Sequence, residues 1–146
     1  MLHENVKFTG KLKIVITGPD GKIKESHELK NLVVAVGKAW IASRMVGTPA
    51  VMSHMAMGTG STAAVAGNTT LETETGARVA LSSSNAVGAV VTYVATFLPG
   101  VATGALTEAG IFNAGAAGTM LCRTVFPVVN KAAPDTMSIT WDITAS

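Results

Sequence analysis

The sequence is poor in charged residues, aromatic rings and cysteine, and each shortage excludes something. Only 14% of its 146 residues are charged, against roughly a quarter in an ordinary soluble domain, so there is little polar material to cover a free surface. This favours burial against a partner. Aromatic residues make up 5%, which argues against a sugar-binding face built on exposed rings. The single cysteine, Cys122, cannot form an internal disulfide, and its apolar neighbours predict a buried, inert thiol.

Long hydrophobic runs are also missing. No apolar run approaches the roughly 18 residues that span a bilayer, and the N-terminal MLHENVKFTGKLK has no hydrophobic stretch like that of a signal peptide. We therefore expect a soluble protein that is synthesised in the cytoplasm and has no membrane partner. A chain of 146 residues can bury one core without disulfides, so we expect a single domain over residues 1–146.

What the chain does have is alternation with a period of two. The segment TMSITWDIT places apolar side chains on one face of a strand: Met137, Ile139, Trp141 and Ile143. Strand signals recur in AVVTYVATF, GKLKIVIT, KIKESHEL, VMSHMAMG, ARVALSSS, ALTEAGIFN and TMLCRTVFPV. About eight strands predict an all-β fold, an antiparallel β-sandwich of the jelly-roll type. The predicted core contains Trp141, Ile139, Phe97, Tyr93 and Phe126.

The N-terminal part, residues 1–30, is predicted to be a basic hairpin. GPDG at 18–21 has the proline and glycine that a tight turn needs, and the flanking lysines alternate with apolar residues. One short helix is predicted over 35–46, where AVGKAWIASRM places Val36 and Trp40 on one face. The remaining strands occupy 51–146.

Positive charge is concentrated at the N-terminal end. Residues 1–44 hold eight of the eleven Lys and Arg against four acids, a net charge of +4, whereas residues 45–146 carry −2. No aromatic residues interleave with the lysines for base stacking, and their alternation is typical of the solvent face of a two-stranded ribbon. We therefore expect no nucleic acid partner, and consider protein contact instead.

Two groups of residues are candidate partner contacts. The hairpin lysines could meet an acidic surface, and the methionines of MSHMAM could adapt to an irregular partner. The candidates are Lys11, Lys13, Lys22, Lys24, Met52, Met55 and Met57. The alternative for the lysines is an ordinary hairpin face, and for the methionines an ordinary core strand.

The stretch MAMGTGSTAAVAGNTTLETETGARVAL, residues 55–81, suggests a phosphate loop at first sight. Its glycines, Gly58, Gly60 and Gly67, fit neither the dinucleotide fingerprint nor the P-loop, which ends in Gly-Lys-Ser/Thr. The stretch is therefore predicted to be a small-residue surface loop over 58–70 that leads into a strand.

A catalytic interpretation of the same stretch would use Glu72 and Glu74, which share one face of an extended segment. Partners are missing, because His3, His27 and His54 are far apart in sequence without metal-ligand spacing. There is also no G-x-S-x-G nucleophile elbow. We expect no enzymatic activity, no metal and no cofactor, and we interpret the two glutamates as solvent or interface carboxylates.

Seven segments, taken in order, carry a family resemblance over residues 29–144. They are LKNLVVAVGKAWIASRM, MGTGSTAAVAGNTTLETE, ARVALSSS, VTYVATF, LTEAGIFNA, TMLCRTVF and DTMSITWDIT. Together they resemble a group of tailed-bacteriophage virion proteins of about this length. That group includes tail-fibre-like proteins, structural proteins of the particle and capsid cement or decoration proteins with a jelly-roll fold. The resemblance supplies no catalytic or cofactor residue.

The resemblance implies a virion component. We expect a capsid decoration protein on the capsid exterior, which binds the major capsid protein and itself, as a dimer or another small symmetric oligomer, and stabilises the shell against internal pressure. The alternative is a tail-fibre or baseplate module, although a fibre subunit usually carries shaft repeats or heptads that this chain lacks. A small enzyme or a sugar-binding sandwich is the third and weakest class.

Overall fold

Within residues 4–146, the computed structural model of the protein has nine β-strands and one helix; Met1, Leu2 and His3 lie outside the described residues. The elements are β1 Phe8–Thr17, β2 Ile23–Val33, α1 Ala35–Ser43, β3 His54–Gly58, β4 Val79–Ala80, β5 Ser83–Val87, β6 Val90–Phe97, β7 Gly104–Phe112, β8 Met120–Lys131 and β9 Thr136–Ala145. The strands form one antiparallel sheet in the order β4-β3-β7-β8-β2-β1-β9-β6-β5. The predicted all-β class is confirmed, while the jelly-roll type stays a prediction.

The predicted strand segments each contain at least one strand, and one of them contains two. ARVALSSS, expected to be a single strand, is divided into β4 and β5. The two short strands pair with different neighbours, β4 with β3 and β5 with β6. Between them, the Leu81 amide donates to the Ser53 carbonyl (2.8 Å) and the Ser82 amide to the Val94 carbonyl (2.8 Å). The chain itself thus connects the two edges of the curled sheet.

The first hairpin forms as its turn chemistry predicts. Strands β1 and β2 pair from Gly10 opposite Asn31 to Thr17 opposite Ile23. In the turn, Gly21 has a φ of +80° and its amide donates to the Gly18 carbonyl (3.0 Å). Positive φ is accessible to glycine without steric cost, which explains the residue at this place.

The end of β2 joins the two halves of the sheet. Most of β2 pairs with β1, but Leu32 and Val33 pair with Arg123 and Cys122 of β8. The halves on either side of this junction curl over a common hydrophobic core. The predicted core residues all belong to it: Trp141, Ile139, Phe97, Tyr93 and Phe126. Cys122 is also fully buried, and this burial raises the pKa of its thiol.

Helix α1 is shorter than predicted and lies against β8. It covers Ala35–Ser43 rather than 35–46. A Cβ at Gly37 would overlap the carbonyl oxygen of Leu121, so glycine is required for this close approach. After the helix, the chain is held back against it, because Trp40 Nε1 donates to the Ala50 carbonyl (2.9 Å) and Arg44 Nη1 to the Pro49 carbonyl (2.8 Å).

The central core position of Trp141 gives the first test of the fold. We expect Trp141→Ala to lower the free energy of unfolding by about 3–5 kcal/mol, because it leaves a cavity between the two halves of the sheet. Urea denaturation measures the change. The control is Thr140→Ala, on the exposed face of the same strand, which should change stability by less than about 0.5 kcal/mol. Equal effects of the two variants would contradict the assigned faces of β9.

Candidate functional site

A fully buried carboxylate, that of Glu108 in β7, lies beneath the glycine-rich stretch. Its Oε1 accepts hydrogen bonds from the amides of Gly60 (3.0 Å) and Thr73 (2.7 Å). Its Oε2 accepts one from the amide of Glu72 (3.0 Å) and two from Arg123, through Nε (3.0 Å) and Nη2 (2.8 Å). The five donors fix the loop between β3 and β4 to the strands β7 and β8.

The glycines of MGTG are explained by this contact. A Cβ at Gly58 or at Gly60 would lie 2.5 or 2.6 Å from Glu108 Oε1, a distance that real Cβ atoms do not tolerate. Gly60 is also held from the other side, because Thr107 Oγ1 donates to its carbonyl (2.8 Å). Glycine at these two positions allows the loop backbone to approach the Glu108 carboxylate.

A second, smaller core lies under the same loop. Leu71 packs there with side chains of the helix region and of three strands. They are Val34, just before α1, Val36 in α1, and Ala56, Phe112 and Met120 in β3, β7 and β8. Arg78 covers this cluster, with its guanidinium 3.6 Å from the centre of the Phe112 ring. The loop is therefore a folded cover on the outer face of β3, β7 and β8.

The protonation of Glu108 follows from two opposing effects. Burial alone would raise the pKa of its carboxyl. The hydrogen bonds from the Thr73 and Glu72 amides, from Arg123 and from the Gly60 amide outweigh burial, and the pKa is lowered from its ordinary value. Glu108 is thus ionised and paired with the buried Arg123, which makes it a structural anchor.

The two glutamates considered as a catalytic pair each face an arginine. Glu74 forms two hydrogen bonds with Arg78, at 3.0 and 3.1 Å, while Glu72 Oε2 lies 4.0 Å from Arg123 Nη2. Of the histidines, His54 Nδ1 contacts Ser53 Oγ at 2.8 Å. No cluster of three or more potential metal-ligating side chains occurs in the described part of the chain, residues 4–146.

The hairpin lysines have different roles in the structure. Lys11, Lys13 and Lys22 are exposed. Lys24 is about half-exposed as well, but its Nζ lies 3.1 and 3.0 Å from the two carboxylate oxygens of Asp135, whose side chain is buried. Lys24 is therefore engaged in an ion pair within the chain, and it is a weaker candidate for a partner contact than the other three.

The methionines of MSHMAM are not surface contacts. Met52, Met55 and Met57 are buried in the main core. The neighbouring Ala56 is buried as well, on the other face of β3, under the loop. Because both faces of β3 are covered from Met55 to Gly58, the alternative of an ordinary core strand is correct for the methionines.

Four of the ten exposed large hydrophobic residues of the described chain lie in the segment after helix α1 and at the tip of the β5–β6 hairpin, two segments that share cavity walls through Arg44. The exposed fractions are 85% for Met45, 93% for Val46, 57% for Val51 and 71% for Val87. We call these four residues the apolar end. Such a cluster is typical of an interaction surface in a soluble protein.

Two adjoining cavities open at the apolar end. The first, of about 310 Å³, lies between α1 and residues such as Phe8, Leu121 and Ile143. The second, of about 280 Å³, lies between α1 and β5. Both are lined by Trp40, Arg44, Val91 and Tyr93. We call the two together the β5–α1 groove.

Among residues 4–146, Arg44 is the one charged residue that lines either cavity of the groove. Beside it, burial raises the pKa of Tyr93 to about 12, with Cys122 adding to the increase and Arg44 opposing it. The tyrosine is therefore neutral at physiological pH. The groove combines an apolar lining, a neutral phenol and a single cation.

The sequence contained a signal for the anchor but none for the groove. Glu108 and Arg123 are single charges within otherwise apolar strand segments, ALTEAGIFN and TMLCRTVFPV, and buried charges in proteins are generally paired. Their partnership could have been inferred from this. The groove depends on how α1 lies relative to β5, which no local pattern encodes.

The anchor can be tested by removing its charge. We expect Glu108→Gln to lower the free energy of unfolding by about 3–5 kcal/mol, because the buried Arg123 guanidinium loses its close counter-ion and retains only the Glu72 carboxylate at 4.0 Å. The control is Glu72→Gln, whose half-exposed carboxylate lies 4.0 Å from Arg123 and should contribute about 1 kcal/mol or less. Urea denaturation of the three proteins measures both. A larger loss in the control than in Glu108→Gln would contradict the assignment.

The pH dependence of stability provides a second test. The pKa of Glu108 is lower in the folded than in the unfolded chain, so its carboxylate stabilises the fold above the unfolded pKa of about 4.3. That stabilisation is lost as the pH falls through the folded pKa. Asp135, whose pKa is lowered by the hydrogen bond from Lys24, acts in the same direction. We expect stability to fall in acid, and less steeply in Glu108→Gln; parallel curves would contradict this.

Comparisons of this chain with protein-family models, with curated proteins and with solved structures gave no match. In residues 4–146, no helix has the length and apolar character needed to cross a bilayer. The candidate site therefore rests on its own geometry: a loop anchored by a buried ion pair on one face, and an exposed apolar end with a groove beside it.

Proposed function

We propose that the protein is a virion structural component that acts by binding, and that it decorates the outside of a bacteriophage capsid and stabilises the shell against internal pressure. The observation that carries the proposal is the apolar end, where Met45, Val46, Val51 and Val87 are more than half exposed. A cluster of this kind calls for a partner that covers it. The resemblance of residues 29–144 to phage virion proteins supplies the kind of partner.

Shell stabilisation by such a protein follows from mass action. A decoration protein that binds the assembled lattice but not the dispersed subunits shifts the equilibrium towards the lattice. Many copies act together, so each contact can be weak. In this proposal the partners are the major capsid protein and further copies of the same chain, in a dimer or another small symmetric oligomer, and the sandwich is of the jelly-roll type that the resemblance implies.

The exposed lysines of the hairpin provide the electrostatic part of the proposal. Lys11 and Lys13 lie on the outer face of β1 beside Glu28 and Asp142, so this face carries both signs of charge. An acidic shell surface would be attracted mainly by the lysines, and the attraction would be screened by salt over a distance of about 8 Å at physiological ionic strength. The apolar end is insensitive to that screening.

Localisation tests the proposal directly. Particles are dissociated, heads and tails are separated, and the protein is detected in each fraction with an antibody and then located in an image reconstruction of the particle. We expect it on the outer surface of the head. Recovery in the tail fraction alone would replace the proposal with the tail-fibre or baseplate alternative.

The hairpin contribution has a separate test. We expect the double variant Lys11→Glu, Lys13→Glu to occupy fewer sites on particles that lack the protein, and native occupancy to fall as salt rises. The control is Lys38→Glu, a charge reversal outside the hairpin. Bound protein and the temperature of genome release are measured. Unchanged occupancy of the double variant would remove the hairpin from the interface.

A further inference from the structure

Strand β5 is an edge of the sheet without the usual protection. It pairs with β6 on one side and stands last in the strand order. All five of its residues, SSNAV, are exposed, and none is charged or proline. Natural edge strands are normally protected by charges, proline or a bulge, because their outward N–H and C=O groups can pair with another chain. The edge of β5 is therefore available for an added strand.

The β5–α1 groove runs beside this edge. Its second cavity is lined by Ser84, Asn85 and Ala86 of β5 and by Trp40 and Arg44 of the helix region. A segment added to β5 would thus lie between a strand and a helix. Side chains on one face of a strand recur about every 6.8 Å, so two successive side chains of the same face could occupy the two adjoining cavities.

The charge in the groove restricts what can bind. Arg44 donates to the Pro49 carbonyl at 2.8 Å, but it is absent from the ion pairs formed within residues 4–146. A guanidinium at an apolar groove favours a carboxylate as partner. A second copy of β5 would bring serine, asparagine, alanine and valine, none of which is anionic. The charge therefore favours a segment of another protein.

We propose that the β5–α1 groove binds an extended peptide segment of a partner protein, which adds a strand to β5, inserts apolar side chains beside Trp40 and Tyr93, and places a carboxylate against Arg44. Main-chain hydrogen bonds to an edge strand give affinity in this mode of recognition, while the pockets give specificity. The identification of the partner as the shell protein rests on the proposed function. The addition of a strand to β5 does not depend on it.

Acetylated hexapeptides are the probes for this site. Threonine occupies positions 1, 3 and 5. Positions 2, 4 and 6, which share one face of an extended chain, carry two apolar residues (Leu, Ile or Phe) and one aspartate. The aspartate is at position 6 in one set of peptides and at position 2 in the other. We expect members of the panel to change the fluorescence of Trp40 and to slow amide hydrogen exchange in β5. Replacing aspartate by asparagine should weaken binding about tenfold, which corresponds to about 1.4 kcal/mol. N-methylation of alternate peptide amides should abolish it, because it removes donors to the strand edge.

Variants of the protein locate the site. Arg44→Glu should abolish binding of the aspartate peptides, whereas Arg44→Lys should retain most of it. Ala86→Pro should block strand addition, and Trp40→Phe should remove the fluorescence change and weaken binding, because Trp40 lines both cavities. Lys22→Glu, at a residue that lines neither cavity of the groove, is the control and should bind normally. Urea denaturation checks that each variant is folded.

Several results would overturn the inference. They are binding by no member of the panel, binding that is indifferent to the aspartate and to Arg44, and binding without protection of β5. A dimer in sedimentation that depends on β5 and is not displaced by the peptides would assign the edge to a second copy. These outcomes are independent of where the protein lies in the particle. If the protein binds the peptides but is found only in tails, the proposed peptide-binding groove is supported and the proposed capsid location is wrong.

Discussion

The buried ion pair of Glu108 and Arg123 is the interaction on which the outer face of the structure depends. An unpaired charge at this depth would cost several kcal/mol, and removing one partner of such a pair is correspondingly destabilising. The carboxylate also satisfies three loop amides that would otherwise be left without partners. The loop therefore cannot leave the sheet without exposing both the charge and the second core. Glycines at 58 and 60 are the geometric condition for this contact.

Charge and apolar surface are distributed in an unusual way in this chain. Within the described residues, 4–146, four charged side chains are buried although the sequence has few of them: Glu108, Arg123, Lys131 and Asp135. Each finds a partner inside: Lys131 Nζ donates to the Leu98 carbonyl at 3.0 Å, and Asp135 pairs with Lys24. The surface is left with still fewer charges, while Met45 and Val46 are almost fully exposed. This imbalance supports the proposed role in binding.

The strand order of the sheet ends at β4 and at β5, and the groove lies beside the β5 end. The chain crosses from β4 to β5 through Leu81 and Ser82, so the two edges are covalently joined. The loop covers one outer face, and α1 lies on β8. The edge of β5 carries no charge and lies beside Arg44 and the two cavities of the groove. An interaction surface is expected where unpaired backbone groups and exposed apolar side chains lie at the same place.

The sequence by itself determined which segments are strands and which side chains enter the core. Alternation in TMSITWDIT was enough to place Ile139 and Trp141 inside, because the period of two is a property of the strand itself. It left the methionines around β3 undecided between a partner contact and a core strand, since a strand covered on both faces loses its alternation. Only the tertiary structure decided that β2 joins β8, that Glu108 holds a loop some 40 residues earlier in the chain and that α1 forms a groove with β5. These are contacts between distant segments, and local periodicity carries no information about which segments meet.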